Sequence, residues 1–272
     1  MTGTSPSQAA ASHRPWPMCR FCCGIALDMG SARTRAWIAG EGVVVDVPTV
    51  TCSGTGTVSP IQRGTIIDIP GCARMLRRLL RHRLPRFTRP VVIVAAPVLD
   101  GLAYRTRARA AVDVLRPRSV LTVPSARAIA LAVGADLSRP LMVVDIGAHL
   151  TEVVLLCDGA ITDARRTALG TGDLDETATP EQIAEAVASM LTAMLRQDRT
   201  SLTVDALHRG VLLAGGGALR PELTCHLTGR LHVPLRVVPA PHTAAVRGAA
   251  ELLQAAHTHP STRRPAEDRH PG

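Results

Sequence analysis

Apolar and polar positions along the chain predict short strands that alternate with helices. Apolar β-rich runs bounded by turn residues predict strands, at residues 25–29, 43–47, 91–95, 119–123, 141–146, 151–156, 211–214 and 235–238. Apolar residues at helical spacing predict helices, at residues 72–83, 102–115, 126–133, 180–196, 218–231 and 243–256. This alternation is typical of an α/β layered fold.

The two ends of the chain lack this periodicity. Residues 1–17 are rich in Ser, Ala and Pro, and residues 257–272 are polar and contain Pro. Both compositions predict disordered tails. Between them we expect a first half at 18–140, a second half at 141–240, and a C-terminal helix at 241–256 that packs back on the first half.

One local pattern occurs twice: a strand that ends in Asp, a Gly turn and a second strand. Asp28 and Gly30 lie in the first copy, and Asp145 and Gly147 lie in the second. A Gly turn exposes backbone N–H groups to a phosphate, and an Asp at the strand end can hold a hydrated Mg²⁺. The repeat therefore predicts a duplicated fold with a cleft between its halves, although each Asp could instead only cap its turn.

A third glycine-rich element, Gly215 to Gly217, follows the apolar run at 211–214 and precedes a helix. Glycines at such a point let the backbone approach a flat ligand closely. Tight packing of the strand against the helix is the alternative explanation.

Seven segments follow one another in an order typical of a single family. Residues 25–50 (IALDMGSARTRAWIAGEGVVVDVPTV), 141–154 (LMVVDIGAHLTEVV) and 209–219 (RGVLLAGGGAL) are similar to its first phosphate loop, second phosphate loop and adenosine motif. Shorter matches lie at residues 60–68, 91–97, 172–176 and 246–248. On these residues the chain resembles the MreB/Mbl family of bacterial actin-like ATPases.

The resemblance implies an α/β fold with a duplicated actin-like (ribonuclease-H-like) ATPase core of two subdomains. The family's small inserted subdomains are largely missing, because few residues separate 50 from 60 and 176 from 180. It also implies a set of residues for weak binding of ATP with Mg²⁺. The nucleotide positions are Ser31, Ala32, Arg33, Thr34, Gly147, Leu150, Thr151, Gly215, Gly216, Gly217, Ala218 and Leu219, and the metal positions are Asp28 and Asp145. An alternative alignment of residues 178–183 would add a ribose contact at Glu181.

Several departures from the family pattern predict little or no hydrolysis, and we assign no catalytic residue. Arg33 replaces a small amide, and it could either pair with a phosphate or fill the site. Ala148 and His149 replace glycines, which disfavours a backbone that relies on positive φ. His149 could donate a hydrogen bond to a phosphate or act as a switch near neutral pH, and we favour its interpretation as a loop imidazole without a role. Leu150 replaces a hydroxyl expected to position water, and residues 122–124 hold no carboxylate.

Composition narrows the function further. All 31 basic residues are Arg, against 22 acidic residues, which excludes Schiff-base, Walker-lysine and catalytic-lysine kinase chemistry. Only five aromatic residues disfavour base stacking. Without the seven arginines of residues 74–89 the net charge falls from +9 to +2. They are Arg74, Arg77, Arg78, Arg81, Arg83, Arg86 and Arg89. This segment is either a solvated helix face or a contact with anionic lipid, and no specific nucleic-acid reader is visible.

The cysteines and the hydropathy indicate a cytoplasmic protein with a possible site on the membrane surface. Cys19, Cys22 and Cys23 form a cluster, but no second cysteine or histidine pair completes four zinc ligands, so we interpret them as reduced thiols. No apolar run is long enough to span a bilayer.

We therefore expect an MreB/Mbl-like cytoskeletal protein that acts in cell shape or cell-wall morphogenesis. Its expected partner is a full-length relative or itself, and long filaments of its own are not expected. The alternatives are a nucleotide-independent scaffold that binds a membrane or a partner and, less favoured, a small kinase of the same superfamily.

Overall fold

The computed structural model describes residues 23–53, 56–85, 88–99, 101–174 and 177–258. The predicted tail at 1–17, Cys19, Cys22 and residues 259–272 lie outside this part of the chain. The strands are β1 (Gly24–Met29), β2 (Arg33–Ile38), β3 (Gly42–Pro48), β4 (Thr51–Ser53), β5 (Gly56–Val58), β6 (Ile61–Gln62), β7 (Thr65–Ile66), β8 (Val91–Ala96), β9 (Ser119–Pro124), β10 (Leu141–Ile146), β11 (Thr151–Cys157), β12 (Ala160–Thr167), β13 (Val211–Ala214) and β14 (Leu235–Val237). The helices are α1 (Ile69–Leu80), α2 (Gly101–Val112), α3 (Ser125–Ala132), α4 (Pro180–Gln197), α5 (Leu202–Arg209), α6 (Pro221–Leu231) and α7 (Ala244–Thr258).

Two five-stranded sheets share one topology. The first has the order β3-β2-β1-β8-β9, and the second has the order β12-β11-β10-β13-β14. In each, the central strand pairs with an antiparallel hairpin partner on one side and a parallel strand on the other. The duplicated α/β core expected from the repeated hairpin is therefore confirmed.

The two hairpins also match residue by residue. Asp28 lies opposite Arg35 in the first hairpin, and Asp145 lies opposite Glu152 in the second. Each turn is closed by a backbone bond across it, from Gly30 N to the carbonyl three residues on (3.0 Å) and from Gly147 N to its counterpart (2.8 Å). Both sheets thus present the same turn at the end of their central strand.

Helices cover both faces of each sheet. On the first sheet, α1 and α2 pack over a core that includes Leu27, Leu76 and Tyr104, while α3 and α7 cover the opposite face. On the second sheet, α4, α5 and α6 cover one face, and α3 packs against the other. Helix α3 therefore lies between the two sheets and joins their cores.

The C-terminal helix α7 packs against β1, β8 and α3, on the first sheet. Its contact with α3 is close, since a Cβ on Gly248 would lie 1.7 Å from the carbonyl oxygen of Ala128. The helix continues to Thr258. The predicted start of the polar tail at 257 is therefore wrong by two residues, because helical backbone bonding extends beyond the last apolar position.

The predicted elements differ from the structure where side chains gave little signal. Strand β12 is mostly exposed and α5 has only eight residues, so neither had a clear apolar period. Residues Gly216–Leu219 form a short 3-10 turn, and α6 begins at Pro221. The helix predicted from 218 therefore begins three residues later, because Pro favours the first helical turn.

The connections that replace inserted subdomains are short. Strand β3 leads to α1 through two small hairpins, β4–β5 and β6–β7, and β12 leads to α4 through residues 168–179. Within the described residues, no helix is both long enough and apolar enough to cross a membrane.

Candidate functional site

The two matching hairpins face each other across a cleft of about 250 Å³ between the sheets. Many of the positions predicted for a nucleotide and a metal line it. They are Asp28, Ser31, Ala32, Arg33, Asp145, Gly147, Leu150, Gly215 and Gly216. Residues that are far apart in the sequence are thus brought together as the repeat predicted.

Thr34 and Thr151 occupy equivalent positions but do not line the cleft. Both side chains are fully buried. The Thr34 hydroxyl is 2.8 Å from the hydroxyl of Thr49, and the Thr151 hydroxyl donates to the carbonyl of Leu169 at 2.8 Å. These hydroxyls therefore form hydrogen bonds that hold each hairpin against a neighbouring segment, and they do not point into the cleft.

The three glycines at 215–217 differ in how much space surrounds them. A Cβ on Gly215, whose φ is +83°, would lie 2.3 Å from the carbonyl oxygen of Ile146, and one on Gly217 would lie 2.4 Å from the Ile146 side chain. Gly216 has open space around its Cβ direction. Ala218 is buried and Leu219 is exposed, and neither lines the cleft. Tight packing therefore accounts for Gly215 and Gly217, whereas the role of Gly216 in the approach of a ligand stays a prediction.

Arg33 is engaged by a carboxylate on the neighbouring strand. Its Nε lies 2.5 Å from Asp46 Oδ1, and its Nη2 donates to the Asp46 carbonyl at 2.6 Å. Its side chain remains 44% exposed. The guanidinium thus lies at the cleft rim, where it does not fill the space between the hairpins.

Arg35 is a charged residue of the cleft that the motif comparison did not select. Its guanidinium is 3.6 Å from Asp28 and 3.3 Å from Asp46. The signal was present in the hairpin, since Asp28 and Arg35 are directly opposed in register. Asp28, one of the two predicted metal positions, is therefore already paired with a cationic side chain.

The carboxylates of the cleft are hard to ionise. Burial raises the pKa of Asp28, and the nearby Arg35 partly offsets this. Burial, reinforced by the charges of Asp28 and Glu152, raises the pKa of Asp145 to about 7. Buried acids of like charge disfavour one another's ionised form.

Glu152 lies in the second phosphate-loop segment at 141–154 and was assigned no role from the sequence, but the structure places it in the lining of the cleft. Burial raises its pKa to about 7, although it accepts hydrogen bonds from the backbone N–H groups of Val98 (2.9 Å) and Leu99 (3.4 Å) and from the Ser125 hydroxyl (3.4 Å). It lies opposite Asp145 in the hairpin register. Glu152 thus ties the second sheet to the first half of the chain.

Oxygen donors of this kind fit Mg²⁺ when phosphate supplies the other ligands. Mg²⁺ in nucleotide sites is held by one or two carboxylates together with water and phosphates, and Asp28 and Asp145 both line the cleft. Among the described residues, no three His, Cys, Asp or Glu side chains are placed to chelate a metal by themselves. The donor set therefore fits a metal bound with a nucleotide and not a metal held by protein alone.

The second hairpin turn contacts the first half directly. A hydrogen bond of 3.1 Å joins Ser31 Oγ and His149 Nδ1. The interpretation of His149 as a loop imidazole without a role missed this contact. Beside it, Leu150 packs against Gly64 at the tip of the β6–β7 hairpin, and the Arg63 guanidinium reaches Asp173 at 3.0 Å and the Ala168 carbonyl.

Glu181, the position from the alternative alignment, lies elsewhere. It stands at the start of α4, where its carboxylate is 2.8 Å from His226 Nε2, and it does not line the cleft.

Known proteins resemble this chain over most of its length. A family profile described as "MreB/Mbl protein" matches residues 51–180 and 176–261. The cell shape-determining protein MreB of Escherichia coli strain K12 is 22% identical over 331 positions, which cover 88% of this chain and 95% of that protein. The aligned region is longer than this 272-residue chain, so the alignment contains gaps in this chain.

Solved structures agree on the fold. MreB5 of Spiroplasma citri bound to ADP superposes with a TM-score of 0.74 at 16% identity, covering 87% of this chain and 97% of MreB5. A MamK double helical filament gives a TM-score of 0.70 at 14% identity and covers 85% and 98% of the two chains. These likenesses show an actin-like α/β core. Together with the family profile, which matches well over half of the residues, they establish that the chain belongs to the MreB/Mbl family of bacterial actin-like proteins.

Proposed function

We propose that this chain is an MreB-like protein of cell-shape determination that binds ATP with Mg²⁺ weakly and hydrolyses little or none. The supporting observation is the meeting of two equivalent Gly turns across one cleft, each preceded by a partly buried Asp, at Asp28 and Asp145. Curated relatives carry the name cell shape-determining protein. Solved relatives are described as bound to ADP and to AMPPNP.

In this proposal the cleft residues contact different parts of the nucleotide and its metal. The turns that begin at Gly30 and Gly147 face the phosphates with backbone N–H groups, and Gly216 leaves open space near the base and ribose. Asp28 and Asp145 hold the metal through water. The metal supplies charge neutralisation of the phosphates. It also favours the ionised form of the two buried acids.

The same geometry supports weak binding. A cleft of about 250 Å³ is smaller than the roughly 300–1,000 Å³ typical of sites for compact organic ligands. Arg33 is already paired with Asp46, so a phosphate would have to compete for it. The short connections at 51–66 and 168–179 leave little chain to cover a nucleotide from above.

Weak hydrolysis follows from the side chains near the second turn. Hydrolysis requires a positioned water and a group that accepts its proton. Leu150 has no hydroxyl for this purpose. The nearby carboxylate of Glu152 already accepts bonds from two backbone N–H groups and one hydroxyl.

Calorimetric titration with Mg-ATP tests the proposal. We expect a dissociation constant of roughly 10 µM to 1 mM, corresponding to about 4–7 kcal/mol, and phosphate release near the uncatalysed background. Asp28→Asn combined with Asp145→Asn should abolish the Mg²⁺-dependent part of the heat. Submicromolar affinity with rapid phosphate release, or no heat from folded protein, would contradict it.

We further propose that the protein works in the cytoplasm, with a full-length relative or a second copy as its partner, and that it caps or joins filaments and does not build long ones alone. A related protein is described as a double helical filament. The short connections at 51–66 and 168–179 remove most of the inserted surface expected from the family pattern. Sedimentation of the purified chain with ATP should leave it in the supernatant, and abundant ATP-dependent polymers would refute this part.

The outer layer of the first half supports a contact with anionic lipid. Helices α1 and α2 cover the same face of the first sheet, and residues 69–118 contain twelve arginines against only Asp100 and Asp113. Within the described residues, ten of these arginines are exposed. They are Arg74, Arg77, Arg78, Arg81, Arg83, Arg89, Arg105, Arg109, Arg116 and Arg118. Each basic residue near an anionic bilayer contributes about 1 kcal/mol, so a face of this kind can hold the protein on a membrane.

Vesicle sedimentation tests the membrane contact. Replacing Arg74, Arg77, Arg78 and Arg81 by Gln should reduce binding to vesicles that contain anionic lipid by at least about tenfold, as the loss of several basic side chains implies. The matched control replaces Arg196, Arg199, Arg220 and Arg236 of the second half by Gln and should retain binding. Equal loss in both variants, or binding only to double-stranded DNA, would contradict the lipid proposal.

A further inference from the structure

His149 of the second hairpin turn forms a hydrogen-bonded bridge to Ser31 of the first, and its neighbour Leu150 packs beside this bridge. We propose that His149 and Leu150 close the end of the phosphate site and make the cleft selective for a nucleoside diphosphate over a triphosphate. This inference rests on the nucleotide binding proposed above and adds the class of nucleotide that the site accepts.

The first observation is the distance between the two turns. Ser31 Oγ and His149 Nδ1 are hydrogen-bonded to each other at 3.1 Å. One phosphate oxygen that accepted a bond from both groups would hold them roughly 5 Å apart, since each such bond is about 2.7–3.0 Å long. While the bridge is intact, no phosphate can lie between Ser31 and His149.

The second observation is the apolar contact beside the bridge. A Cβ on Gly64 would lie 2.6 Å from Leu150 Cδ2 and 3.6 Å from the Pro97 side chain. Leu150 therefore fills the space between the second turn and the tip of the β6–β7 hairpin. A phosphate oxygen placed there would face carbon and lose its hydrogen-bond partners, which is unfavourable for a charged group.

The second turn is also supported from behind, so it cannot withdraw without breaking bonds. Thr171 N donates to the Gly147 carbonyl at 3.0 Å, and Gly172 N donates to the Ala148 carbonyl at 2.6 Å. Gly172 is needed for the imidazole to fit, because a Cβ there would lie 2.6 Å from His149 Nε2. A terminal third phosphate would have to break the bridge and move a turn that is bonded on both sides.

The rest of the cleft is free of this obstruction. Asp28, Gly30, Asp145 and Gly216 line the cleft, and the bridging and apolar contacts described above involve none of them. The two phosphates of a diphosphate can lie along this part with Mg²⁺. His149 and Leu150 in the second turn therefore shorten the phosphate site, whereas the other residues that line it keep their positions.

The experiment compares Mg-ADP and Mg-ATP by calorimetry on the full chain. The variants are His149→Gly with Leu150→Thr, and Ser31→Ala, which removes the bridge with a minimal change in volume. The matched control is His82→Gly with Leu195→Thr, at exposed or partly exposed positions outside the cleft. Circular dichroism and thermal melting confirm that each variant is folded.

We expect the wild-type chain and the control to bind Mg-ADP at least about tenfold more tightly than Mg-ATP, a difference that one lost charge-assisted contact can produce. In the double variant the two affinities should agree within about threefold, and Ser31→Ala should lie between. Equal affinities in the wild-type chain, or unchanged selectivity in folded variants, would overturn this inference and leave nucleotide binding standing. Failure of folded wild-type protein to bind either nucleotide would overturn both.

Discussion

At Asp145, folding and protonation are strongly coupled. Its pKa is raised from 3.8 to about 7, first by burial and then by the charges of Asp28 and Glu152. The folded protein therefore holds a proton that the unfolded chain releases near pH 4. Stability falls wherever the folded state binds more protons than the unfolded state as pH rises, which here is the interval from about pH 4 to about pH 7.

The substitution Asp145→Asn removes this coupling while it keeps the shape of the side chain. The full pKa shift corresponds to about 4 kcal/mol at 1.36 kcal/mol per unit, and relaxation of the cleft lowers the realised gain to about 2 kcal/mol. Thermal unfolding at pH 8 should therefore show a stabilised variant, whereas at about pH 3, where Asp145 is protonated in both the folded and the unfolded chain, the two proteins should be similar. A gain of equal size at both pH values would rule out the ionisation of Asp145 as its cause.

The sequence identified two kinds of cleft residue. The first are glycines whose backbone lines the cleft, such as Gly147 and Gly216, and the second are the two aspartates at the ends of the central strands. Arg35 and Glu152 were not identified, because their importance depends on what lies opposite and above them. Arg35 pairs with Asp46 on a third strand, and Glu152 accepts hydrogen bonds from residues 98 and 99, about fifty positions earlier. A short sequence motif contains no information about partners that lie on other strands or loops.

At the scale of elements, the turn between β13 and α6 places a tightly packed glycine next to one that faces open space. Gly215→Ala should destabilise the protein by about 2–4 kcal/mol, because it combines a left-handed φ with overpacking against Ile146. Gly216→Ala, the matched control, should change the free energy of unfolding by less than about 1 kcal/mol, because open space surrounds the new methyl group. Urea denaturation measures both, and equal losses would mean that the turn has a different conformation.

The apolar pattern predicted most buried strands and long helices of the described chain to within a few residues. Helix α4 is one example, since Thr179 caps it and Pro180 begins it. The small hairpins β4–β5 and β6–β7 were not predicted, although at the tip of the second one Gly64 lines the cleft and Arg63 contacts the second half. Two-residue strands carry too few positions for a period of two to be visible.

At the scale of the whole molecule, several contacts between the two halves surround the cleft. Arg63 on the first half reaches Asp173, whose side chain is 6% exposed, and the Ala168 carbonyl on the second half. Arg166 donates to the carbonyl of Leu99 at 3.3 Å. The loop at 168–173 in turn supports the second hairpin turn, so the closure of the cleft depends on contacts made outside it.

Arg63→Ala should loosen this closure without unfolding the protein. Hydrogen–deuterium exchange should become faster at the amides of residues 147–150 and 170–173, and the free energy of unfolding should fall by about 1–3 kcal/mol, because the buried Asp173 loses its cation. Arg196→Ala on α4 is the control and should leave both segments unchanged. Unchanged exchange in Arg63→Ala would show that the remaining contacts hold the cleft closed.

By itself, the sequence determined the alternation of elements, the duplication and the positions of the two turns, because these depend on local periodicity and on backbone rules for Gly, Pro and Asp. The family was indicated by the resemblance of seven segments in a fixed order. The seven arginines of 74–89 were also visible in it. Only the tertiary structure packed α1 and α2, which both carry exposed arginines, over the same face of the first sheet. Only the structure joined Ser31 to His149, 118 positions apart. Both results depend on how separate elements pack across a sheet and a cleft, and no spacing along the chain encodes those distances directly.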